Sequence, residues 1–596
     1  MKPLKVFKVL ATMTLAVVLM PLVIPTLSPV SVGGQVSYNP PPGDIFHAPL
    51  SGMGLLRLVQ LQDNVSAVIG GSATSSSVSN PSGPQGRGNG LQSINQRALR
   101  FINDTSYFPQ SETTIAVDPA NPDHVVGGFN DAKFLFCQVF SPDCASSGSP
   151  ASLSGFTVSI DGGLSVLKGS DIPDFNITAV SFPPTVFPMI AFGDPTVVPS
   201  RDGNFLYSSL ATSRDGGNGI MIAKSNSNLF DPNVSCVTSN IAPTINACWK
   251  EIFVYGRTSI FSPTLEDKPV MAVDHSKGPY SGSVYVGWDH FTFGRATSSS
   301  YLARCEGDLS SCTMLSGGQV VVLSDTDLFT AFTTPVVDGN GNVYVTWCDY
   351  GTFTSFGPVA CKVRSSPPGG ASFGPPNTIL SFMGQGTALP YDTITLGFAT
   401  EQFRTASIPW LAADTSSTPS AGNLYFTIQV CTSGGYLGSP LLGADNPGNC
   451  GLSSILFTAS PDRGATWSFP IVLSKSAVSA QPYVAVDPTT GNIFVVYYTT
   501  QFDPFNHRID VVVSKSTNGG SSFHQSRITS VSNEPDSDPN MFFYASANGG
   551  SWTVPQYGDY FQAVAQGGKL WVLFTANYVV EQGTFQTDPF LTVVTL

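Results

Sequence analysis

Seven copies of one unit run along this chain, and a repeat of that kind limits the possible folds more than any other feature of the sequence. The copies read TTIAVDPANPDHVVGGFND from Thr113, PTVVPSRDGNFLYSSLAT from Pro195 and PVMAVDHSKGPYSGSVYVGWDHF from Pro269. They continue as PVVDGNGNVYVTWCDY from Pro335, PWLAADTSSTPSAGNLYFTIQV from Pro409, PYVAVDPTTGNIFVVYYTT from Pro482 and YFQAVAQGGKLWVLFTANY from Tyr560. Successive starts lie 82, 74, 66, 74, 73 and 78 residues apart. Each copy holds β-branched and aromatic residues at strand spacing, then a Gly/Asn/Asp/Pro turn, then a second strand. Other strand-like segments, such as Gly155–Ile160, Ile455–Ala459 and Ile509–Ser514, fill out the period. About 75 residues is room for four antiparallel strands with long loops, the size of a propeller blade. A linear solenoid more often has shorter periods and capped ends, whereas a ring needs no caps. The sequence therefore reads as all-β, a seven-bladed β-propeller over residues 111–596, with a six-bladed ring as the alternative.

The last copy is short of one strand, since the chain ends after about three strands' length from Tyr560. The missing outer strand then has to come from the N-terminal side, where Leu55–Leu61 and Ala98–Ile102 are the candidates. Between them Gly70–Ser93 is rich in Ser, Gly and Asn and reads as a flexible linker within an N-terminal segment, 35–110. Ahead of that, a basic start with Lys2, Lys5 and Lys8 precedes an uncharged apolar run from Val9 to about Ile24. Residues 1–34 thus read as a secretory signal. Retention as a membrane anchor is the alternative, although the run is short for a spanning helix and contains Pro21.

Cysteine spacing agrees with export to an oxidising compartment. The ten cysteines fall as close pairs, Cys137/Cys144, Cys236/Cys248, Cys305/Cys312, Cys348/Cys361 and Cys431/Cys450, which suggests sequential disulfides stapling single loops. Sequons at Asn64, Asn103, Asn176 and Asn233 suit the surface of an exported protein. With 27 Lys+Arg against 40 Asp+Glu and a net charge of -13, the chain lacks the basic stripe that a nucleic-acid partner needs. The expected partner is an extracellular glycan or a cell-surface protein, and the expected location is secreted or cell-surface. A membrane is a partner only if the signal is kept as an anchor.

A second motif lies inside several copies. Ser460-Pro461-Asp462-Arg463-Gly464-Ala465-Thr466-Trp467 fits S-x-D-x-G-x-T-W throughout, and Ser516–Phe523 fits with Asn518, Ser522 and Phe523 as replacements. Ser159–Val166 fits in its first half, and Ser366–Phe373 is a degenerate copy. The motif resembles the Asp-box (BNR) repeat of sialidase-like β-propellers. Its carboxylate or amide accepts backbone N–H groups across a tight turn, its Gly supplies a left-handed conformation, and its aromatic residue packs beneath. The resemblance implies the propeller fold, with these turns between outer strands and away from the axis. It leaves function open, because such propellers include sialidases, other glycoside hydrolases, sorting receptors and assembly factors.

In a propeller the expected site is the axial mouth, lined by residues at the starts of the innermost strands. Those positions hold Glu112, Asp194, Asp267, Lys268, Thr334, Ser407, Gln481, Tyr557, Asp559 and Tyr560. A second set, Asn130, Asp131, Asp289, Asp349 and Tyr350, follows the second strands. Paired carboxylates at one end of a funnel can act as general acid and base in glycosidic cleavage, bind a cation, or solvate the ring. In an enzyme, the candidates for catalysis are Asp194, Asp267, Asp559, Tyr560 and Glu112. The candidates for holding substrate are Arg404, Lys268, Gln481, Asn130 and Asp131.

A sialidase would hold its sugar carboxylate with three arginines, which form bidentate pairs. Only Arg100 and Arg404 lie just upstream of inner strands, so a non-catalytic interaction scaffold competes with the hydrolase reading. No cofactor is expected. The Asp338–Asn342 turn looks like half of a calcium loop, which leaves a structural calcium ion open beside a plain hairpin. Gly370–Gly374 satisfies G-x-S-x-G but sits in a degenerate turn. Trp288, Trp347 and Trp410 read as packing between blades rather than sugar platforms.

Overall fold

A computed structural model describes residues 92–93, 98–102, 108–133, 152–179, 185–213, 217–236, 247–257, 264–292, 297–312, 319–325, 330–352, 355–382, 391–396, 401–433, 452–474, 477–535, 537–538, 557–581 and 584–595. The signal, most of the N-terminal segment, the Leu55–Leu61 candidate, Cys137, Cys144 and Cys450 lie outside them, as do the sequons at Asn64 and Asn103.

Six four-stranded antiparallel blades follow in chain order, each built as a meander. Their innermost and outermost strands are Gln110–Val117 with Lys168–Asp171, Thr196–Pro199 with Trp249–Arg257, and Thr264–Val273 with Gln319–Val322. The next three run from Thr330–Val337 to Asn377–Phe382, from Trp410–Ala413 to Ile471–Val472, and from Ser479–Val486 to His524–Arg527. A seventh is made of Gln562–Gln566, Lys569–Glu581 and Thr584–Thr595, so the six-bladed alternative is set aside. Two extra hairpins are inserted, one pairing Phe175–Ala179 with Thr185–Ala191 and one pairing Tyr391–Leu396 with Glu401–Ala406. Each blade packs on the next, and the first packs on the seventh, where Thr113 bridges Phe561 in parallel.

The seventh blade is completed from the other end of the chain. Leu99 and Arg100 pair with Leu591 and Phe590, and Gln92 and Ser93 pair with Thr595 and Val594. The Ala98–Ile102 candidate is therefore the closing strand, and the sheet also takes in the last two residues of the stretch read as linker. Arg100 locks the joint with Nε 2.6 Å and Nη2 3.2 Å from the Asp588 carboxylate, which is fully buried.

Three of the turns between third and fourth strands share one hydrogen-bond set. In Ser460–Trp467 the Asp462 Oδ1 accepts the Thr466 N–H (2.8 Å) and the Ser460 hydroxyl (2.8 Å), while Ser460 Oγ accepts the Gly464 N–H (2.7 Å). Asp161 with Ser165, Ser159 and Gly163 repeats it, as does Asn518 with Ser522, Ser516 and Gly520. Glycine is needed at Gly520, where φ is +88° and a Cβ would stand 2.5 Å from Phe457. Phe523 packs edge-on to Phe457, and Trp467 to Phe426. Ser372, in the degenerate turn, is exposed between two outer strands.

Asp338 uses both oxygens within its own hairpin, accepting from Asn340 N, Asn342 N, Asn342 Nδ2 and the Tyr344 hydroxyl. Trp288, Trp347 and Trp410 are buried as packing residues; Trp410 meets Tyr483 of the next blade at 4.8 Å. Disulfides join Cys236 to Cys248, Cys305 to Cys312 and Cys348 to Cys361, and Cys431 is also disulfide-bonded. Three disulfides suit an extracellular protein. No helix among the described residues is long and apolar enough to cross a membrane.

Candidate functional site

Each innermost strand starts at the same end of the ring, and most start with the same backbone irregularity. Six residues before the turn that ends the strand, the chain enters the left-handed region at Glu112 (φ 52°), Asp194 (φ 53°), Lys268 (φ 53°), Phe332 (φ 66°) and Gln481 (φ 50°). At Glu112, Lys268, Phe332 and Gln481 this forms a bulge, two residues facing one on the neighbouring strand. A non-glycine residue pays roughly 1–2 kcal/mol for that conformation, so neighbouring groups must hold it. The preceding blade does so. Asn130 Oδ1 accepts the Asp194 N–H at 2.9 Å, Asp289 Oδ2 accepts the Phe332 N–H at 2.7 Å, and Gln429 Oε1 accepts the Gln481 N–H at 3.1 Å. The Glu112 N–H is donated to the Tyr557 carbonyl at 3.1 Å.

The bulges turn their side chains toward the axis, where residues of different blades meet. Lys268 Nζ lies 2.7 Å from Asp559 Oδ2, 3.4 Å from Glu112 Oε1 and 3.5 Å from Asp194 Oδ2, and 5.0 Å over the Tyr560 ring. One lysine of the third blade thus gathers carboxylates from the first and second blades and from the entry to the seventh. Lys268 is 3% exposed and none of the three acids exceeds 2%. Glu112 Oε2 accepts from Asn130 Nδ2 at 2.7 Å, and Glu112 Oε1 accepts the Asp559 N–H at 3.1 Å. Tyr560 donates its hydroxyl to the Pro195 carbonyl at 2.7 Å. Beside the cluster a small apolar cavity is walled by Val270, Phe332, Ile408, Trp410 and Tyr560, with Lys268 at its edge.

Electrostatics divide the acids. Burial, reinforced by the Asp194 charge and opposed by Lys268, pushes the Glu112 carboxyl well above the usual carboxylate range. Burial alone would drive a lysine down, but Asp194, Asp559, Glu112 and Asp267 together raise Lys268 and keep it charged. The cluster is therefore an internal ion lock. Among the described residues, no group of three or more His, Cys, Asp or Glu side chains is placed to hold a metal ion.

The remaining candidates are dispersed. Asp267 is fully buried and pairs in register with Asp289. Gln481 donates to the Gly558 carbonyl at 2.5 Å. Asp131 accepts from Gln110 Nε2 and from the Lys133 N–H. Thr334, Ser407 and Tyr557 are buried. Asp349 pairs with Lys362 and accepts from Trp347 Nε1. Arg404 sits on the inserted Glu401–Ala406 strand, and its side chain lies outside the described residues.

Asp289 is the clearest of the residues that hold bulges in place. Its carboxylate takes the Phe332 N–H, the Thr333 N–H (3.1 Å) and the Thr333 hydroxyl (2.8 Å), all from the next blade. Burial pushes its carboxyl up to about 6, against those bonds. A carboxyl raised on folding stabilises most below its unfolded pKa of about 4, and that contribution is lost as pH rises through about 6. Asp289→Asn removes this pH dependence and leaves one donor short of an acceptor. Thermal denaturation between pH 4 and 7 is expected to give a flatter profile, with stability lower by about 1–3 kcal/mol at acidic pH.

Aligning the copies on the turn residues Asp118, Asp274, Asp338 and Asp487 would have put Glu112, Lys268, Phe332 and Gln481 in one column. The sequence reading missed Gln429 as a residue that holds a bulge. It also missed Glu266 and His290, which carry no repeated signal.

The fold and its turns define a seven-bladed β-propeller. No family model matches the chain, and no curated protein is similar to it. Among solved structures, the Hadza microbial sialidase Hz136 is 12% identical with a TM-score of 0.35, over 78% of this chain and 74% of that one. An ulvan lyase of polysaccharide lyase family PL25 is 12% identical with a TM-score of 0.34, over 67% and 84%. Trypanosoma rangeli sialidase in complex with the inhibitor DANA is 11% identical with a TM-score of 0.35, over 70% and 57%. Likeness at this level bears on neither substrate nor activity.

Proposed function

We propose that this chain is an exported propeller that binds extracellular carbohydrate without cleaving it. One observation carries the choice of binding over hydrolysis: the axial carboxylates nominated as catalytic are buried and turned onto Lys268. A glycosidase needs an acid and a base that reach the scissile bond from opposite sides. Here Glu112, Asp194 and Asp559 instead reach one ammonium group within the ring. The disulfides support export, and a carbohydrate is the ligand class we take first among those that Asp-box propellers serve. The test is a glycan array probed with the secreted protein, beside a panel of reporter glycosides. Binding with no turnover is the expected result, and turnover of any reporter that depends on Glu112 would overturn the reading.

A further inference from the structure

A second cluster of chemically capable side chains lies between the second and third blades, apart from the axial lysine. Glu266, on the innermost strand of the third blade, is fully buried. Its carboxylate accepts from Trp288 Nε1 at 2.7 Å and meets His290 Nδ1 at 2.9 and 3.0 Å. The partners of Nδ1 are carboxylate oxygens, so Nδ1 carries the hydrogen and Nε2 is the ring nitrogen turned away from Glu266. The imidazole is also clamped as a plane. It stacks on Tyr301 at 4.4 Å and 14°, and meets the edge of Tyr255, from the second blade, at 6.1 Å. Tyr255 in turn packs on Trp288 at 5.1 Å and on Tyr301 at 5.8 Å.

This is more organisation than packing alone requires. A buried carboxylate with two donors fixes one ring nitrogen, two tyrosines fix the ring plane, and Nε2 makes no hydrogen bond among the described residues. Tyr255 and Tyr301 are only half-buried, so the box reaches the surface. His290 and Glu266 lie toward the starting end of the innermost strand, the end at which the axial bulges lie. An oriented ring nitrogen beside aromatic rings matches a sugar, which offers a hydroxyl next to an apolar ring face.

We infer that His290, held by Glu266 and flanked by Tyr255 and Tyr301, is a sugar-binding subsite in which Nε2 shares a hydrogen bond with a ring hydroxyl. The inference rests on the carbohydrate reading above and gives it a location. His290→Asn tests it, because the asparagine amide can still donate to Glu266 while Nε2 is gone. Tyr255→Ala removes one wall instead. Both variants and the wild type are taken to the glycan array, with melting temperatures confirming that they fold. A folded His290→Asn protein is expected to lose about tenfold in affinity for the glycans the wild type binds, equivalent to about 1.4 kcal/mol. If glycans bind the wild type and both folded variants equally, this subsite is wrong and the carbohydrate reading survives. If no glycan binds the wild type, both fall.

Discussion

Lys268→Met is expected to cost about 3–5 kcal/mol of stability, because it leaves buried carboxylates without their counter-charge. That is a large part of the roughly 5–15 kcal/mol that holds most domains folded. The loss also has a pH signature. Without the ammonium, Asp194 and Asp559 regain stability only by taking up protons. The shortfall against wild type is therefore greatest at neutral pH and shrinks on acidification. Burial holds the Glu112 carboxyl well above the usual carboxylate range, and glutamine keeps its size and polarity, so Glu112→Gln is expected to be much milder than Lys268→Met. Denaturant titrations of the three proteins at pH 5 and pH 7.5 check this ranking. Equal losses for both variants would show that the lysine does not organise the cluster.

Opening the closing joint is expected to do comparable damage by a different route. Arg100→Ala removes both hydrogen bonds to Asp588, a residue with no exposed surface, at a cost of about 3–5 kcal/mol. The two ring-closing devices lie in different places, one at the outer edge of the seventh blade and one on the axis. Arg100→Ala should therefore speed hydrogen exchange first along Thr584–Thr595, whose edge it uncovers, while Ser479–Val486 keeps its protection until global unfolding. Uniformly faster exchange throughout the ring would mean that closure and core unfold as one unit.

Much of the fold could be read in the repeats because a blade announces itself locally. A turn after TTIAVDPANPD or PYVAVDPTTG is written in Asp, Pro and Gly, and alternating apolar residues such as those of Ile493–Thr499 specify a strand. The closing strand was legible for another reason: the seventh copy was one strand short, so the chain needed a donor such as Ala98–Ile102. Neither argument reaches the axis. Whether an acid six residues before a turn faces solvent or a lysine from another blade depends on the left-handed bulge. That bulge is held by Asn130, Asp289 or Gln429 from the neighbouring blade, far away in sequence. The residues at the strand starts suggested an acidic mouth, whereas packing turned three of their acids onto one buried lysine. His290 was invisible for a related reason, since one histidine gains meaning only when Glu266, Tyr255 and Tyr301 surround it.

The central claim is that the axial acids hold the ring together and perform no chemistry. Its most direct test is product analysis on whichever glycans the secreted wild-type protein binds, after prolonged incubation at several pH values, with Glu112→Gln in parallel. The account predicts that both proteins return those glycans intact. Cleavage by the wild type that disappears in a folded Glu112→Gln protein would contradict it.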